Sequence, residues 1–322
     1  MEDKFKVRLR VVEKQIVNWD EFITEFNTRI RDKFFPIVIK IDEGPDLSLL
    51  EIQELNRYKF LKWFDQLECN AYVETDNLIE KHLGEKHIKN FNELPFFFYK
   101  NNNTQDKKFE KKFMCFVGAH RWPRFVISYF LSTEHKQQSF LTYWQDKFPT
   151  QDLKGKLTLE EIRKFKSNLP LYIETSETIQ RHSTGYINFT DTRPLLDFYH
   201  RSFLDIVCET WHEGETFMPT EKIARPLSCL NPFVVYGPEN FLANLRRLGF
   251  KTFEQYWDES YDIQTGDKRI DSIKSVINKL AKLNYEETQK LYTEVLPILT
   301  HNKKLYDAIS KEQIMKTFNG NL

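Results

Sequence analysis

Glu221 and Lys222 stand side by side directly after Thr220, and these three residue types already define a chemistry. A carboxylate on the first turn of a helix can accept both vicinal hydroxyls of a ribose. An ammonium beside it can sit against a diphosphate, where the helix N-terminus adds positive potential. Arg124, after Arg121-Trp122-Pro123, is a second cation expected at a helix start, and its planar fork suits bidentate phosphate contacts. Alone, each feature has a plain structural reading, because Thr followed by Glu is also ordinary helix-start chemistry. The flanks of the tripeptide carry more weight. Phe203 to Cys208 reads as a buried strand ending at Glu209, and Phe233 to Tyr236 as a second one closed by Gly237-Pro238. Strand, polar loop, short helix and strand would set Glu221 and Lys222 beyond the carboxyl ends of parallel strands. Open α/β sheets bind their ligands in that crevice, and a helix N-terminus there suits nucleotide phosphates.

The elements that must position these groups alternate along the chain. Phe5 to Val12 alternates like a strand, and Asn18 can cap a helix carrying Trp19, Phe22, Ile23, Phe26 and Ile30 at helical spacing. The run Pro36 to Ile41 reads as a strand ending in the acidic turn Asp42-Glu43-Gly44-Pro45. A helix is expected over Leu49 to Leu67, a strand at Ala71 to Val73, and a helix near Leu78 to Leu83. After the polar stretch Asn101 to Lys112 the pattern restarts, with Phe113 to Val117 as a strand and a helix from about Pro123 to Leu131. Thr158 with Glu161 fits a capping box, Gly249 is placed to end a helix over Pro238 to Leu248, and Pro297 interrupts a last helix from Tyr285 to Ile309. Gln137 to Ser167 reads as helical and loop material, and Pro170 to Glu174 as a strand. The fold class is therefore α/β with mostly parallel sheets, divided near the polar stretch into residues 1–105 and 106–322.

Composition narrows the classes of function. The 322 residues are 40% hydrophobic with 28 Phe, enough for a sizeable core. Lys+Arg and Asp+Glu are both 47, so the chain has no long-range attraction to a polyanion, although a local basic patch remains open. Cys69, Cys115, Cys208 and Cys229 show no Cys-x-x-Cys spacing and read as small buried hydrophobes in a reducing compartment. The charged start Met1 to Arg10 has no apolar signal core, and no apolar run approaches the ~20 residues that span a bilayer. A soluble, cytoplasmic protein without a membrane span is expected. Neither an Asp-x-Asp nor a His-Glu-x-x-His occurs, so no metal site and no cofactor are expected. His82 and His87 have poor ligand spacing, and His212 reads as a loop histidine with no active role, approach to a bound sugar being the alternative.

Taken with its flanks, the site resembles the donor-binding half of the α1,3-fucosyltransferase-type glycosyltransferases. The resemblance covers about Phe113 to Arg124 and Phe203 to Pro238. It rests on Glu209 six residues after Phe203, then Thr220-Glu221-Lys222-Ile223, then Pro232-Phe233-Val234-Val235-Tyr236-Gly237-Pro238. It implies two Rossmann-like domains facing across a cleft, the GT-B architecture, and inverting transfer from a nucleotide-diphosphate sugar to an acceptor hydroxyl. By the same resemblance Glu221 matches a ribose-binding glutamate, Lys222 and Arg124 bind phosphate, and Glu209 is the strand-end glutamate of the donor site. The chain departs from the family where Gly118-Ala119 replaces a serine-asparagine pair and where Thr210 replaces an asparagine.

An inverting transfer needs a general base, which the resemblance assigns to a carboxylate of the amino-terminal domain. Glu43, at the end of the strongest strand there, is the candidate, with Asp42 and Glu74 as competitors. The acceptor is a saccharide or another hydroxyl compound. A modified base in DNA is an alternative, served by Lys107, Lys108, Lys111 and Lys112. A non-catalytic module that binds a nucleotide sugar or a protein is the alternative from outside enzymology.

Overall fold

The computed structural model describes residues 6–12, 15–16, 18–29, 37–42, 62–64, 66, 71–75, 88–90, 96, 107–118, 121–143, 157–169, 171, 193–210, 212 and 217–319. The chain forms two compact units. One comprises residues 1–94, 213–218 and 310–322, and the other residues 95–212 and 219–309. The division falls between Leu94 and Pro95, ahead of the polar stretch at Asn101.

The first unit is built on a five-stranded sheet of order β2-β1-β3-β4-β5. Its strands are β1 (Lys6–Val12), β2 (Gln15–Ile16), β3 (Ile37–Asp42), β4 (Ala71–Thr75) and β5 (Ile88–Asn90). All neighbours are parallel except the hairpin partners β1 and β2. Helix α1 (Trp19–Arg29) buries Phe22 and Phe26, which meet Trp63 edge to face at 5.1 and 4.8 Å. Such tilted contacts suit the ring quadrupoles better than flat stacking.

The second unit carries a four-stranded, all-parallel sheet of order β7-β6-β8-β9. Its strands are β6 (Lys111–Phe116), β7 (Ser139–Thr142), β8 (Ser202–Cys208) and β9 (Phe233–Tyr236). Every residue of β8 and β9 is buried, as expected of strands covered by helices on both faces. The helices are α2 (Trp122–Glu134), α3 (Leu159–Ser167), α4 (Arg193–Arg201), α5 (Glu221–Cys229), α6 (Phe241–Arg247), α7 (Gly266–Ala281) and α8 (Tyr285–Ala308). Helix α9 (Lys311–Asn319) falls in the first unit.

The helix ends follow their local sequences. Thr158 and Glu161 form the expected capping box on α3, and Asn284 and Glu287 form a second one on α8. Gly249 follows α6 with φ 93°, a conformation that costs a side-chain-bearing residue energy. Leu230 ends α5 in the left-handed region, with its N–H donated to the Pro226 carbonyl. One element departs from expectation: the stretch read as helix and loop contains β7. Of the strand expected over Pro170 to Glu174 only Leu171 is described, and it makes an antiparallel bridge to Tyr143. The helices expected over Leu49 to Leu67 and Leu78 to Leu83 lie almost wholly outside the described residues, as does Glu43. Among the described residues, no helix is long and apolar enough to cross a membrane.

The sheet order locates the site. From β6 the chain crosses to β7 on one side, then returns to place β8 on the other side of β6. The carboxyl ends of β6 and β8 therefore flank a topological switch point, where the two connections leave in opposite directions and open a crevice.

Candidate functional site

Arg124, Glu209, Glu221 and Lys222 come together at this switch point. Arg124 lies on the first turn of α2, whose N-cap Arg121 is extended and whose Pro123 supplies a pre-set φ. The Arg124 side chain reaches across from β6 to the end of β8. Its Nε donates to the Cys208 carbonyl at 3.2 Å, and its Nη2 to Thr210 Oγ1 at 3.4 Å. The guanidinium is buried, and burial lowers its pKa from the ordinary arginine value.

Helix α5 brings the other charges. Thr220 is its N-cap and accepts the Lys222 backbone N–H at 3.3 Å. Lys222 Nζ donates to Glu221 Oε1 at 2.7 Å, Thr210 Oγ1 at 3.1 Å and Thr220 Oγ1 at 3.2 Å, so its three protons are all engaged. Burial lowers the Lys222 pKa, opposed chiefly by Glu221 and Glu209 and reinforced by Arg124. Burial pushes the Glu221 carboxyl upward, but Lys222, Arg225 and the hydrogen bonds outweigh it and hold the group below the usual carboxylate range. At working pH Glu221 is an ionised acceptor, as binding a pair of hydroxyls requires.

Glu209 has a different place from the other three. It is 1% exposed, and its oxygens take the Thr220 N–H at 3.2 Å, the Thr220 hydroxyl at 2.5 Å and the Thr210 N–H at 3.3 Å. Its own N–H donates to the Tyr236 carbonyl at 2.9 Å. Burial raises its pKa against the pull of Lys222 and Thr220. The carboxylate thus ties the end of β8 to the N-terminus of α5 and positions Lys222 and Glu221 instead of presenting itself outward.

The strand ends also gather three rings. His212 and Tyr236 each approach Trp122, both with centroids 5.9 Å away, and lie 6.0 Å from one another. Beneath Tyr236 the Arg269 guanidinium lies 5.6 Å from the ring centroid. Arg269 is 2% exposed and donates to the carbonyls of Gly237, Tyr261 and Asp262. Asp262 in turn accepts the Leu242 and Ala243 N–H groups at the start of α6. A Cβ at Gly237 would come within 2.9 Å of the Phe241 ring, so only glycine allows this close packing. The turn after β9 is therefore rigidly held beside the cationic cluster.

Sequence reasoning singled out neither Thr210 as a partner of both cations nor Arg269 as a support for the turn. Arg269 sits among polar residues at a helix start, and nothing local marks it as buried. On the amino-terminal side, Asp42 ends β3 opposite Arg10, and Glu74 pairs with Lys40 in the β4 register. Among the described residues no group of three His, Cys, Asp or Glu side chains could hold a metal ion. No protein-family model matches the chain, and no curated protein matches it.

Proposed function

We propose that this chain is a glycosyltransferase that takes a sugar from a nucleotide-diphosphate donor and passes it to an acceptor hydroxyl. The observation that carries the reading is the convergence of Arg124, Glu221 and Lys222 at the switch point between β6 and β8. In such a reaction the diphosphate leaves with growing negative charge, and two fixed cations with two helix N-termini stand ready to offset it. Glu221, ionised and paired with Lys222, can accept the ribose hydroxyls and fix the donor's orientation. Holding donor and acceptor in line would supply much of the remaining rate. The resemblance adds a GT-B arrangement, inversion at the anomeric carbon, and a general base in the amino-terminal half, for which Glu43 is the candidate.

The test is a thermal-shift and hydrolysis panel of UDP-, GDP-, CMP- and TDP-sugars on wild type and Glu221→Ala. A donor present at ~100 times its Kd stabilises the fold by about 2.7 kcal/mol, and the variant should lose most of that. One responding nucleotide with slow sugar release identifies the donor. A folded protein that answers to none of them overturns the reading.

A further inference from the structure

Thr220, where α5 begins, is held from two sides. Towards the sheet, Glu209 takes its N–H and its hydroxyl, and both residues belong to the second unit. Three residues earlier, Phe217 is 0% exposed and belongs to the first unit, as does all of Glu213–Met218, although the chain on either side of that segment lies in the second. Within the first unit Phe217 meets Phe318 of α9, with ring centroids 5.1 Å apart and planes tilted by 48°. Only Met218 and the buried Pro219 separate Phe217 from Thr220. A proline fixes its own φ and confines the residue before it to extended backbone, so this link has little freedom to absorb a movement. A shift of the Phe217 ring is passed on to Thr220, and with it to Glu221 and Lys222 on the first turn of α5.

We infer that Phe318 is a positioning residue for the donor site: by packing on Phe217 it fixes where α5 begins, and so links occupancy of the site to the seating of α9. That the site takes a diphosphate rests on the reading above, whereas the strut rests on the ring pair and the two-residue link. Glu209 grips the helix start at one residue, about which the first turn can still pivot. The ring pair supplies the second fixed point. Coupling between two sites is reciprocal, so an anion that binds better with α9 seated also makes α9 harder to unseat.

Hydrogen exchange read by mass spectrometry on the full chain tests this, with inorganic pyrophosphate as the probe. Without ligand, residues 217–224 should exchange roughly tenfold faster in Phe318→Ala, as for the loss of one aromatic pair and its buried area, while β8 and β9 stay close to wild type. Phe318→Leu, which keeps an apolar contact, should recover part of that protection. With saturating pyrophosphate, residues 311–319 of wild type should exchange about fivefold or more slowly, and pyrophosphate should bind Phe318→Ala about fivefold more weakly. Phe217→Ala, which cuts the link from its other end, should abolish the response of α9. A purely structural role for Phe318 would loosen α9 without making it respond to pyrophosphate. If Phe318→Ala does not fold, the wild-type response of α9 and the Phe318→Leu exchange decide the question. Unchanged exchange over residues 217–224, or pyrophosphate bound with no effect on α9, would overturn the inference. Pyrophosphate that does not bind, or that binds Arg124→Gln equally well, counts instead against the diphosphate site, and the ligand-free exchange then decides the strut alone.

Discussion

Charge at the site is organised by a carboxylate that does not face outward. Glu209 receives three donors from Thr210 and Thr220, and through Thr220 it sets the first turn of α5. All three partners are donors, so the geometry requires an acceptor-only carboxylate there even though burial raises its pKa. Glu209→Gln would keep the shape but turn an amide N–H₂ towards one of those donors. A buried N–H left without its acceptor costs about 1–3 kcal/mol, so the variant should unfold at a correspondingly lower urea concentration. A wild-type urea midpoint would show that the carboxylate is not what holds this loop. Arg124, Glu221 and Lys222 were legible in the sequence because each sits at a helix start after an apolar strand. The buried, inward role of Glu209 was not legible, since nothing in Cys208-Glu209-Thr210 says where the Thr220 hydroxyl will lie.

At the scale of elements, the readable features were those written within a few residues. The capping box of Thr158 and Glu161, the mainly apolar strands β8 and β9, and the left-handed Gly249 all depend on local types and spacing. Strand β7 was missed because Ser139 to Thr142 is too short to show alternation, and what makes it a strand is its pairing with β6. Helix α4 was also missed, although β8, which it packs against, begins at the very next residue. Gly249 offers the direct test. At φ 93° an added Cβ is strained, and it would also meet Leu305 Cδ2 at 3.3 Å. The left-handed conformation costs a non-glycine residue about 1–2 kcal/mol. Gly249→Ala should lower the thermal midpoint by the corresponding amount, and a midpoint equal to wild type would mean the turn relaxes without strain.

At the scale of the whole molecule, net charge is zero, yet the second unit buries ionisable groups that make its stability depend on pH. Lys107 precedes β6, and its ammonium is enclosed where it donates to the Tyr199 carbonyl and to Asn231 Oδ1, although the residue as a whole is half-buried. Burial lowers its pKa to about 7, opposed by nearby Cys229. Asp205, on β8, accepts the Tyr199 hydroxyl at 3.0 Å; burial raises its pKa to about 7, against the pull of that hydrogen bond and of Arg225. The two shifts have opposite consequences. Between about 7 and its unfolded value of 10.5, Lys107 is protonated more in the unfolded chain, so its contribution to stability grows as pH rises and is lost as pH falls to 7. Between 3.8 and about 7, Asp205 is protonated more in the folded chain, so its contribution is present below 3.8 and is lost as pH rises to 7. Each can change stability by at most about 1.4 kcal/mol per pH unit. His200, shifted below its ordinary 6.5 by burial and by Lys107, acts in the same sense as Lys107. Difference measurements isolate each group from the rest of the titration. Relative to Lys107→Met, wild type should gain stability steadily from pH 7 to pH 10. Relative to Asp205→Asn, it should lose stability from pH 4 to pH 7. Urea unfolding across this range reads both slopes, and parallel curves for a variant and wild type would mean that its group is not held in the shifted state by the fold.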